Sequence, residues 1–138
     1  LLSSMGRKIS TVEGILWGIG GFAAFQLAPA MGLAPELPGT MAADLTARQV
    51  WWWGPAISTI IGLGLLGYGS GFATRAIGLA LLATPHFIGA PEPDTFSGVA
   101  PPEVAAAFSA RVLGVGLIVW ATLGGLAGWF WTRSEKAD

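Results

Sequence analysis

Apolar residues in this sequence come in four long blocks separated by short polar links. The first block, 12–33 (VEGILWGIGGFAAFQLAPAMGL), holds only Glu13 and Gln26 as strongly polar positions. The second, 50–69, carries no charge. The fourth, 111–131, is apolar from Val112 onward, within a stretch that opens near Val104. A helix needs about 20 consecutive apolar residues, with a range of about 17–25, to cross the hydrocarbon of a bilayer. These three blocks meet that length. The third, 72–89, is uninterrupted only after Arg75 and is marginal, so a tilted or re-entrant piece stays open beside a full crossing. The pattern predicts an all-α integral membrane protein, a bundle of about four transmembrane helices forming one membrane domain over 1–138. The outer loops then fall at 34–49 and 90–103.

Composition agrees and removes the soluble alternative. Of 138 residues, 53% are apolar and only 11% are charged, against roughly 25% charged in an ordinary soluble domain. Seven basic and eight acidic side chains cannot cover the surface of so short a chain, so lipid must be the solvent for most of its outside. The distribution of charge orients it. Arg7 and Lys8 precede the first block, Arg75 follows the link between the second and third, and Arg133 and Lys136 follow the fourth. The link between the third and fourth holds Glu92, Asp94 and Glu103. With four crossings, every basic flank except Arg48 and Arg111 falls on one face, which the positive-inside rule assigns to the cytoplasm. Both termini are therefore expected there. The opening residues lack the order of a secretory signal, because the basic pair follows the leading leucines, and Leu1 in place of Met points to processing or to a longer chain.

Aromatic residues and glycines fit the same frame. Trp51-Trp52-Trp53 stands at the outer start of the second block and Trp129-Phe130-Trp131 at the inner end of the fourth, as in the aromatic belts of membrane proteins. Gly14 and Gly18, Gly67 and Gly71, and Gly124 and Gly128 are spaced as small-x-x-x-small pairs that let helix backbones approach.

Candidate chemistry gathers at the outer ends. Gln26 and Pro29 lie in the outer third of the first block, and Pro85 and His86 near the outer end of the third. Each proline removes a backbone donor and frees a carbonyl. The outer loops add Glu36, Asp44, Arg48, Glu92, Asp94 and Glu103. A mouth of carboxylates and carbonyls suits hard divalent cations, and an imidazole shifts the preference toward transition metals. His86, Glu92, Asp94 and Glu36 are therefore the candidate metal contacts. Against this stand the ordinary roles of such residues, an imidazole capping a carbonyl and solvated loop carboxylates. With no Cys and one His, thiolate sites, iron–sulfur clusters, disulfide frameworks and multi-histidine sites are excluded within this chain. No nucleophilic triad, nucleotide loop or carboxylate pair appears where membrane depth would permit it, so no catalytic residue is assigned and an enzyme is not expected. A net charge of -1 gives no reason to invoke nucleic acid. Ser58, Thr59 and Thr122 are expected to bond to helix carbonyls or to neighbouring helices.

The stretch from Leu16-Trp17-Gly18 through Phe25-Gln26-Leu27-Ala28-Pro29-Ala30-Met31-Gly32-Leu33-Ala34-Pro35-Glu36-Leu37-Pro38-Gly39 resembles the CbtA family of predicted bacterial cobalt transporter subunits. So do Ala42-Ala43-Asp44-Leu45-Thr46-Ala47-Arg48-Gln49-Val50-Trp51-Trp52, Pro85-His86-Phe87-Ile88-Gly89-Ala90-Pro91-Glu92-Pro93 and Pro101-Pro102-Glu103-Val104-Ala105. The resemblance covers nearly the whole chain after about Ile9. It implies a multi-pass protein of the bacterial inner membrane that moves cobalt or another divalent transition-metal ion as substrate. It also implies a small single-span, histidine-bearing partner of the CbtB type. Relative to that family the chain is similar to a form shortened at its amino terminus. Gln26 and Glu92 stand where the family commonly has His; Gln26 is neutral and a poor metal ligand, whereas Glu92 could still bind. A second reading comes from another class: a non-catalytic accessory subunit of a larger membrane complex, such as an energy-transducing or photosynthetic core, that fills a gap and contacts lipid, pigment or quinone.

Overall fold

A computed structural model describes residues 9–135. Among these residues the chain is helical and contains no strand. We number the helices α1 (Thr11–Ala30), α2 (Leu45–Tyr68), α3 (Phe72–Ile88) and α4 (Pro102–Ser134). The first, second and fourth are long and apolar enough to cross a membrane, and α3 is a shorter apolar helix.

Local chemistry sets the ends of each helix. α1 opens on a capping box, a reciprocal exchange that satisfies two otherwise orphaned donors. The Ser10 N–H donates to Glu13 Oε2 at 2.9 Å, and the Glu13 N–H donates to Ser10 Oγ at 3.2 Å. Near its other end α1 widens into a π-helical turn, Ala23–Leu27, before closing as Ala28–Ala30. Pro29 lies just beyond that turn and has no N–H to offer the Phe25 carbonyl, so the regular ladder cannot continue there. α2 is capped by Asp44, whose carboxylate accepts the Ala47 N–H at 2.8 Å. The buried Pro55 interrupts its ladder, and Ser58 Oγ returns a bond to the Pro55 carbonyl at 3.2 Å. Gly71 and Gly89 flank α3 with φ of 86° and 83°, a region that L side chains avoid. α4 starts with Pro102, where a missing donor costs nothing.

The chain divides into two compact units. One joins α1 as far as Phe22 to α4 from Gly114 onward. These segments run antiparallel, because Ser10 meets Gly128, Gly14 meets Gly124, and Gly18 meets Trp120 and Ala121. A Cβ on Gly14 would strike the Gly124 carbonyl, and one on Gly124 would strike the Gly14 carbonyl. Backbone therefore touches backbone, the contact that small-x-x-x-small spacing permits. At the end of this seam Thr132 Oγ1 donates to the Ile9 carbonyl at 2.9 Å.

The other unit runs from Ala23 to Leu113. α2 and α3 form an antiparallel hairpin through residues 69–71, and its seam lies at Gly62 and Gly78. A Cβ on Gly62 would sit 2.8 Å from the Gly78 carbonyl, and one on Gly78 would sit 2.9 Å from the Gly62 carbonyl. Gly67 and Gly71, by contrast, face open space. The end of α1 joins this unit through Phe25, stacked 6.2 Å from Trp52, and through Gln26, whose amide donates to the Val112 carbonyl at 3.2 Å. Small residues occupy the interior, with Ala24, Ala28, Ala56 and Pro55 buried, while Ile57, Ile60 and Ile61 are exposed. A soluble helix buries its large apolar face. The arrangement here suits lipid, where close packing of small residues joins helices and large side chains meet acyl chains.

Candidate functional site

The predicted cation contacts all lie in the Ala23–Leu113 unit, on or beside the two longer connections. Those connections are tied together. The Met41 N–H donates to the Ser97 carbonyl at 2.9 Å, a Cβ on Gly39 would meet Val99, and a Cβ on Gly98 would meet Thr40. Ser109 Oγ, in the first third of α4, donates to the Pro35 carbonyl at 2.7 Å. Segments 31–44 and 89–101 therefore form a joined layer rather than two separate loops.

His86 occupies the last turn of α3, one residue after Pro85. Pro85 is buried and His86 is exposed, so the imidazole projects away from the hairpin. Pro85 cannot donate to the Leu81 carbonyl four residues back, while Thr84 Oγ1 bonds the Ala80 carbonyl at 2.7 Å. Glu92 and Asp94 follow in the irregular segment and are exposed. Glu36 lies in the other connection, with a carboxylate oxygen 3.8 Å from Arg48 Nη2 at the start of α2. Both side chains are about one-third exposed, so water weakens the pair.

The layer thus holds the right donor types without gathering them. Among the described residues, no three His, Asp or Glu side chains stand together as a set able to hold a cation. One expected ligand, Glu36, already has a cationic neighbour. Sequence reasoning missed the Glu36–Arg48 pair although both residues were in view, because nothing in their spacing says which loop positions meet. The pair also gives the Arg48 charge an acidic partner in the connection that leads into α2.

Around this layer the tryptophan run divides its work. Trp51 packs where a Cβ on Gly32 would lie, beside Ala90. Trp52 stacks on Phe25 and meets Trp53 edge-on at 5.1 Å. Trp53 is largely exposed. Two of the three rings fix the end of α1 and its following turn against α2, and the third is left for the membrane interface.

Comparison with known proteins gives an extensive family match. Neither a curated protein nor a solved structure matches the chain. Residues 1–132 match the family described as "probable cobalt transporter subunit (CbtA)". That covers the four helices almost to the end of α4, together with both connections of the candidate layer. With its apolar helices, the chain is a membrane protein that belongs to the CbtA family.

Proposed function

We propose that the chain acts in the bacterial inner membrane as the CbtA-type subunit of a transporter whose substrate is cobalt or another divalent transition-metal ion. The family match over residues 1–132 carries this reading. In it the protein crosses the membrane four times with both ends in the cytoplasm. The antiparallel pairing of α1 with the end of α4 supports ends on one side, and the basic flanks Arg75 and Arg133 favour the cytoplasmic side.

The cation is met on the outer face by His86, Glu92 and Asp94, with Glu36 available on release from Arg48. Imidazole and carboxylate together suit first-row divalent ions at the affinity of a transport intermediate. Because these donors are not preassembled among the described residues, a second subunit completes the coordination. A small single-span, histidine-bearing partner of the CbtB type fits that need. Cobalt uptake by cells expressing the native pair is the test. Replacing His86 and Glu92 together (His86→Ala, Glu92→Gln) is expected to lower uptake by about 10-fold at limiting cobalt, the scale of losing metal-site groups. Uptake that is independent of the native chain would end the transport reading, and full uptake by the double variant would end the site assignment.

The accessory reading has its own support in α4, whose most apolar window has none of its residues buried. Val115, Ile118 and Leu123 stay exposed and could cover a larger complex as readily as lipid. Stable co-purification with a large complex, free of cobalt, would favour that role over transport.

A further inference from the structure

We propose that the groove between α1 and the carboxyl-terminal half of α4 seats one acyl chain of an anionic phospholipid, with Arg133 holding its phosphate. The groove is a shallow, open one of about 420 Å³, and Ile15, Ala121, Thr122, Leu126 and Trp129 line it together with Thr11 and Gly125. It follows from how the two helices meet. Their backbones touch along Gly14, Gly18, Gly124 and Gly128, and beside that seam Gly125 presents no side chain to Ile15. The result is a trough walled by hydrocarbon, with two threonine hydroxyls the exceptions.

Such a trough offers almost nothing to a hydrated ion or polar metabolite. It lies in helices long and apolar enough to span a membrane, so the molecule that reaches it is a lipid chain. Its end carries the charge that selects which lipid. Trp129 forms part of the wall, and the Arg133 guanidinium lies over that ring, 4.0 Å from the centroid. The ring contact fixes the cation beside the groove. The nearby carboxylates are turned to other tasks: Glu135 accepts the Trp131 indole N–H at 2.9 Å, and Glu13 closes the capping box on Ser10. Among the described residues Arg133 has no carboxylate within ion-pair reach. A guanidinium in this state grips phosphate through two N–H groups. Trp129 and Phe130, in edge contact at 4.7 Å, mark the headgroup level at which a phosphate would sit. A zwitterionic lipid offers the same phosphate but brings its own cation, so the anionic lipid wins.

Lipid retention by the purified full chain is the test, read by native mass spectrometry with phosphatidylglycerol and phosphatidylcholine of matched acyl chains. The native chain is expected to prefer phosphatidylglycerol by about fivefold, the scale of one basic residue at a membrane surface. Arg133→Gln, at an exposed position, should abolish the preference while still binding both lipids. Thr122→Phe, on an exposed wall, should fill the trough and reduce retention of both. Equal retention of the two lipids by the native chain would overturn the proposal. So would an undiminished preference in Arg133→Gln, unchanged retention in Thr122→Phe, or recovery of a neutral quinone in place of phospholipid.

Discussion

Gly14 and Gly124 press carbonyl against Cα across the α1–α4 seam, and neither has a flexible side-chain tip opposite that could move aside. Any added carbon must push a backbone. Gly54 and Gly67 in α2 have nothing within 4 Å of an added Cβ. The same substitution should therefore act in opposite directions at the two kinds of site. Gly14→Ala or Gly124→Ala is expected to destabilise the folded chain by about 1–3 kcal/mol, the usual cost of overpacking. Gly54→Ala or Gly67→Ala should be neutral or stabilise by up to about 1 kcal/mol, because alanine loses less backbone entropy in a helix. Unfolding in mixed micelles, followed by circular dichroism, separates the two outcomes. Equal effects at all four positions would show that the seam is not the close contact described.

Helix length, like glycine placement, is set by the bilayer, and here the elements differ. α3 has 17 residues, about 26 Å of helix against a hydrocarbon core of about 30 Å. It carries Phe72 and Phe87 near its two ends, 88% and 89% exposed, where aromatic rings settle at headgroup level. α4 has 33 residues, or about 50 Å, well beyond one crossing. Its surplus is the stretch from Pro102 to Arg111, which bears Glu103, the Ser109 bond to Pro35, and Arg111. In bilayer nanodiscs, amides of 103–110 should exchange with solvent deuterium much faster than those of 113–131. Uniform protection along α4 would place that stretch inside the membrane instead. At this scale the sequence was largely legible, since long apolar blocks announce helices whatever their partners. The glycine seams were read in part. Gly14, Gly18, Gly124 and Gly128 meet as spaced, whereas Gly67 and Gly71 face open space and the Gly62–Gly78 contact went unseen. Each of those last two lies four residues after a hydroxyl residue, Ser58 and Thr74, so a search for paired glycines passes over them. The candidate layer was legible only in residue type. Irregular segments such as 31–44 and 89–101 have no period to read, and the Met41–Ser97 and Glu36–Arg48 pairings arise from how they fold.

The molecule as a whole is constrained by where its charges meet water. Arg48 is offset by Glu36, which leaves Arg111 as the basic residue that most opposes the proposed orientation. A single such exception near an acidic connection does not reverse the bias carried by Arg75, Arg133 and the basic residues flanking the chain's two ends. The chain contains no Cys, so single cysteines can be placed without background. Ser70→Cys, in the α2–α3 connection, and Ser134→Cys, at the end of α4, should resist a membrane-impermeant maleimide in intact spheroplasts and react once the membrane is opened. Ser97→Cys, in the segment that bonds Met41, should react from outside in both cases. If α3 were re-entrant rather than a full crossing, residues 70 and 97 would label from the same side. Ile9 and Thr132 meet in one unit, so the ends of α1 and α4 are held together. That contact favours the even number of crossings in the proposed topology, in which α3 supplies the fourth, and labelling of residues 70 and 97 from opposite sides is the outcome it requires.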